Sequence, residues 1–88
     1  MLVHLGNRRI KYLPTPPKVE TEPEIIKVEI RVDRSGKVVS QRIADGYRST
    51  TSRVNQDIAL QLSSSTTFEP DENAPEEQIG SITYTFSY

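Results

Sequence analysis

The sequence predicts an α+β domain: a three-stranded antiparallel sheet in the order β-β-α-β, with one helix packed on one face. Three observations carry this reading. Ile26, Val28, Ile30 and Val32 alternate with Lys27, Glu29, Arg31 and Asp33. Ile82, Tyr84, Phe86 and Tyr88 alternate with Ser81, Thr83, Thr85 and Ser87. Period-two alternation marks a strand with one buried face. Between the two runs, Val54, Ile58 and Leu62 recur at i, i+4, i+8, the apolar stripe of an amphipathic helix.

The elements follow in chain order. Residues 1–24 read as an irregular arm and Pro-rich linker ahead of a domain over 25–88. Within the arm, Arg8–Tyr12 is the candidate for a short extra strand, since Ile10 and Tyr12 alternate with Arg9 and Lys11. Pro14, Pro16, Pro17 and Pro23 then exclude a helix or central strand, because proline has no N–H and a fixed φ. Asp33-Arg34-Ser35-Gly36 suits a type I turn with glycine able to take positive φ, and Lys37–Ala44 returns as the second strand of a hairpin. Ser52 is the expected helix N-cap, its hydroxyl accepting a bond from a free N–H of the first turn. The helix runs over Arg53–Ser63, with Ala59 beside the stripe and Leu60 off it. The hydroxyl run Ser63–Thr67 frays its end. Phe68-Glu69-Pro70 is an anchor and a stop, Asp71–Gln78 an acidic loop, and Gly80 opens the last strand.

Composition narrows the function. A chain of 88 residues without cysteine has no disulfide scaffold, thiolate metal site or cysteine nucleophile. No apolar run approaches the ~20 residues of a membrane-spanning helix. The net charge of -1 hides an asymmetry. All 11 bases lie between Arg8 and Arg53 with six acids, a net of +5, whereas Val54–Tyr88 carries six acids and no base. One domain with complementary halves is the plain reading, and a binding face the sharper one.

Motifs for catalysis are absent. His4 is the only histidine and has no acid near it in sequence, so it lacks the partners of a general base or metal ligand. Ser63, Ser64 and Ser65 have no activating base. The acids of Asp71–Glu77 do not match a calcium loop, and Gly36 and Gly46 are isolated turn glycines. Arg31, Arg34, Lys37, Arg42 and Arg48 are interleaved with Glu29, Asp33 and Asp45, which argues against a nucleic-acid stripe. No enzyme and no cofactor is expected. Backbone chemistry remains. The uncharged Ser/Thr face of the last strand lacks the Lys or Pro that usually blocks an edge, and an open edge accepts an extended partner.

Several segments in this order resemble the periplasmic C-terminal domain of TonB-family energy transducers. They are Ile26–Val32 with Asp33-Arg34-Ser35-Gly36-Lys37-Val38-Val39, the single helix, Phe68-Glu69-Pro70, and Gly80-Ser81-Ile82-Thr83-Tyr84-Thr85-Phe86. Leu5-Gly6-Asn7-Arg8 and Asn73-Ala74-Pro75-Glu76 match one branch of the family. The sequence departs from many members in having Leu13-Pro14 and a proline-studded arm in place of a Tyr-Pro pair and a first helix. It also has Ser63–Ser65 where Ala and basic residues are usual. The resemblance implies a periplasmic domain of a longer protein with an inner-membrane anchor, moved by a motor complex that the proton gradient drives. It implies that the domain binds the N-terminal segment of outer-membrane receptors by strand addition. The partner-binding strand would be Ser81, Ile82, Thr83, Tyr84, Thr85, Phe86 and Ser87. The alternative is a TonB-like structural or sensory module of a cell-envelope protein with another partner. An open edge also admits a homodimer by strand exchange.

Overall fold

The computed structural model describes residues 1–18, 23–47 and 50–87. The elements are β1 (Leu2–His4), β2 (Ile10–Tyr12), β3 (Glu24–Val32), β4 (Val38–Ile43), α1 (Arg53–Ser64), β5 (Thr67–Phe68) and β6 (Gln78–Phe86). The fold is α+β with one helix among the described residues, but the strand count differs from the expectation. The main sheet has four strands in the order β1-β6-β3-β4, and β2 and β5 form a separate two-stranded sheet. All pairings are antiparallel. The short strand anticipated at Arg8–Tyr12 is β2, and it joins the small sheet. The fourth strand of the main sheet is instead Leu2–His4.

β3 and β6 pair over their full lengths, from Glu24 opposite Phe86 to Val32 opposite Gln78. This register places Ile26 across from Tyr84 and Val28 across from Ile82, so the two alternating patterns stack on one face. Ile26, Val28, Ile30, Val32, Ile82, Tyr84 and Phe86 are all fully buried there. Tyr88 lies outside the described residues. The hairpin turn has the expected form. The Gly36 N–H donates to the Asp33 carbonyl at 3.1 Å, and Gly36 takes φ 95°. The Asp33 carboxylate accepts from the Ser35 hydroxyl at 2.6 Å and the Lys37 N–H at 3.0 Å, which locks the turn from inside.

The helix starts where expected, with the Ser52 hydroxyl accepting from the Asn55 N–H at 3.2 Å. Its buried face is turned one residue from the apolar stripe. Asn55, Ala59 and Ser63 are buried at i, i+4, i+8, while Val54 is 65% exposed. Ile58 and Leu62 flank that line, and Leu60 packs against the core as well. Small residues at the centre of the contact let the helix backbone approach the sheet, and the larger side chains fill the grooves on either side. At the C-terminal end, Ser63 Oγ donates to the Leu60 carbonyl at 2.9 Å and Thr66 Oγ1 to that of Leu62 at 3.0 Å. The Thr66 hydroxyl takes up a carbonyl that its own N–H would bond in a continuing helix, and the chain leaves into β5.

The candidate partner-binding edge

The last strand takes its place from three sets of contacts. Along one side β3 holds it throughout. At its start, the Arg8 guanidinium gathers four acceptors: Gln78 Oε1 at 3.0 Å and the carbonyls of Glu69 at 2.8 Å, Asp33 at 2.7 Å and Arg34 at 3.1 Å. The fork geometry of arginine suits this, since its donors point in fixed, divergent directions. One side chain thereby ties the hairpin turn, the Phe68-Glu69-Pro70 segment and the root of β6 together. Arg34 extends the clamp, donating from Nε to the Ala74 carbonyl at 2.8 Å and so fixing the acidic loop. The basic and acidic halves of the chain pair along β3 and β6, and Arg8 and Arg34 add bonds to the Glu69 and Ala74 carbonyls. Among the described residues, the exposed ion pair of Arg31 and Glu77 at 3.7 Å joins them directly.

The other side of β6 is the edge expected to be open. Over Ser81–Thr83 it is taken by β1, with Leu2 opposite Thr83, Val3 opposite Ile82 and His4 opposite Ser81. Over Tyr84–Phe86 no strand pairs with that side among the described residues. Of the residues expected to meet a partner, Ile82, Tyr84 and Phe86 point into the core and offer only their backbone. Thr85 and Ser87 are exposed, Thr83 half-buried and Ser81 buried. The Tyr84 and Phe86 rings pack at 6.5 Å between centroids, tilted by 44°. Burial pushes the Tyr84 phenol up to about 12, and the neighbouring Thr66 hydroxyl offsets this only in part. Tyr84 Oη has no group at hydrogen-bonding distance and angle among the described residues.

The opposite edge of the sheet, β4, differs in chemistry. Arg42 stands on it, paired with Glu29 at 3.0 Å and with Asp45 at 3.7 Å. A charged side chain on an edge strand disfavours pairing with another chain. An open groove of about 540 Å³ between β4 and α1 is lined by Arg42, Arg53, Gln56, Asp57 and Leu60 among others. His4 is exposed on β1. Among the described residues, no three His, Cys, Asp or Glu side chains come together as a metal site. No described helix is long and apolar enough to cross a membrane. Arg48 of the basic series lies outside the described residues.

Two anchors escape a sequence reading. Glu24, placed in the arm, accepts from the Ser52 N–H at 2.9 Å and from Asn55 Nδ2 at 2.7 Å. It supplies from another strand the bond that a Glu in the first turn makes in a capping box. Burial raises its carboxyl, but the hydrogen bonds from Asn55 and Ser52 outweigh that and hold it below the usual carboxylate range. Leu5 is the second, buried over Gly80. The only signal for Leu5 and Arg8 was their place in Leu5-Gly6-Asn7-Arg8. No family model, curated protein or solved structure matches the chain.

Proposed function

We propose that this chain is a periplasmic, TonB-like C-terminal domain that binds the N-terminal segment of outer-membrane receptors by strand addition at the β6 edge. In this role it belongs to an inner-membrane-anchored protein and passes force from motor proteins to the receptor. The observation that carries the reading is the uncharged backbone edge of Tyr84–Phe86, which has no strand beside it among the described residues and continues an edge covered by three residues of β1. Backbone pairing suits force transmission. Each added residue pair shares the load through bonds perpendicular to the strands. The strand that bears it is fixed along its other side by nine paired residues of β3.

The test is a titration of isotope-labelled protein with synthetic N-terminal segments of outer-membrane receptors from the same organism. Amide shifts confined to Ser81–Ser87 and the flanking β1 are the expected result. An absence of shifts with every receptor segment, at millimolar peptide, would remove the proposal.

A further inference from the structure

We infer that β1 is a stand-in for the partner: a short, displaceable strand of the chain itself that guards the β6 edge and shows which segments it accepts. The inference rests on the strand-addition reading of the same edge.

The cover is weakly held and its neighbour firmly held. Only Leu2, Val3 and His4 pair with β6, and Leu2 and His4 are exposed. Val3 alone packs inward against the core. From Leu5 onward the chain is fixed, with Leu5 3% exposed and Arg8 held by four hydrogen bonds. Residues before Leu5 can therefore leave the edge without loosening the clamp at the base of β6. The uncovered stretch Tyr84–Phe86 adjoins the covered one. A longer segment can pair there first and then replace β1 residue by residue.

The seat of β1 also defines what is accepted. Opposite Ile82 stands a valine, on the core face. Two residues on, Leu5 fills the space that Gly80 leaves, since a Cβ on Gly80 would lie 2.6 Å from Leu5 Cδ1. Opposite Thr83 and Ser81 the side chains face outward, so their chemistry is unconstrained. The partner is an extended segment that places a β-branched apolar residue at the inward position opposite Ile82, while Leu5 stays over Gly80 and closes that end of the site. A charge at that inward position is rejected, because burying it unpaired is costly.

The probe is a synthetic peptide copying residues 1–7, with a second peptide carrying aspartate in place of its valine. The tethered β1 competes at an effective concentration in the millimolar range. In the full chain, Val3→Asp should free the edge, and the first peptide should bind that variant at least tenfold more tightly than the unaltered chain. Its amide shifts should fall on Ser81–Phe86, and the aspartate peptide should bind at least tenfold more weakly. A Leu2→Cys, Thr83→Cys pair, at directly opposed outward positions, locks β1 when oxidised. Oxidation should abolish binding and reduction should restore it. Equal binding to the Val3→Asp and unaltered chains, or binding indifferent to oxidation, would overturn the inference. If Val3→Asp does not fold, the cysteine pair decides alone. Receptor segments run in parallel separate the two readings. Exchange with the chain's own peptide but no receptor binding leaves the guard strand and removes the transducer. Receptor binding unaffected by the lock does the reverse.

Discussion

Gly80→Ala is a one-carbon change with a large expected effect. Gly80 sits opposite Ile30, on the core face of the sheet. An added Cβ would stand 2.3 Å from the His4 carbonyl oxygen and 2.6 Å from Leu5 Cδ1. Carbon and carbonyl oxygen in contact lie at about 3.3–3.6 Å, so the shortfall is about 1 Å. The oxygen belongs to the backbone of β1, so no rotamer change relieves the clash and β1 must lift away. Removing Leu5 from the core costs about 1.5–3 kcal/mol. The lost strand hydrogen bonds add about 1 kcal/mol. The sum, about 2.5–4 kcal/mol, lowers Tm by about 10–30 °C in a domain of this size. Thermal unfolding followed by circular dichroism measures the shift. Amide exchange at Ser81–Thr83 should accelerate at the same time, because that edge loses its cover. A Tm within about 3 °C of the unaltered chain, with those amides still protected, would refute the account of how Leu5 and β1 are seated.

Three further outcomes follow from the packing. Phe86→Ala removes a fully buried ring and should cost about 3–5 kcal/mol. That is a large share of the total for so small a domain, and urea denaturation should show a lower midpoint or no folded baseline. Arg8→Met keeps the aliphatic stem but loses the four-acceptor clamp. Two of those bonds are exposed and replaceable by water, so the expected cost is about 2–3 kcal/mol, read as a drop in Tm. Glu24 has a folded-state carboxyl held below its ordinary 4.5, so it stabilises the fold above that pH and loses this contribution as pH falls through the folded value. The stability gap between the unaltered chain and Glu24→Gln should be constant from neutral pH down to about 5 and close on further acidification; a gap that widens in acid would contradict this.

The long elements were legible because each repeats its signal. β3 and β6 show four inward apolar residues apiece in the sequence, and the turn at Asp33–Gly36 carries its own hydrogen-bonding chemistry. The Ser52 cap was readable for the same reason. β1 was not, since a three-residue strand shows only one inward residue, Val3, and nothing local separates it from an irregular terminus. The helix face was misjudged by one residue because hydrophobicity marks the largest apolar side chains. Close helix–sheet contact instead selects the small ones, here Ala59 and Ser63 with Asn55. Glu24 and Arg8 act across 25 or more residues of chain, Glu24 on Ser52 and Arg8 on Gln78, Glu69 and the turn. Such long-range polar ties leave no periodic trace. The sequence reading put the open edge along the whole of the last strand; the fold instead places β6 between β1 and β3, and only Tyr84–Phe86 lies beyond the cover of β1 among the described residues.

The central claim is that a partner adds its backbone to β6 beyond Thr83. Amide hydrogen exchange of Thr83–Phe86, with and without a saturating receptor N-terminal segment, tests it most directly. The account predicts that exchange in this stretch slows at least tenfold while β4 is unchanged. Slowing confined to Val38–Ile43, or no slowing in β6 with the segment bound, would contradict it.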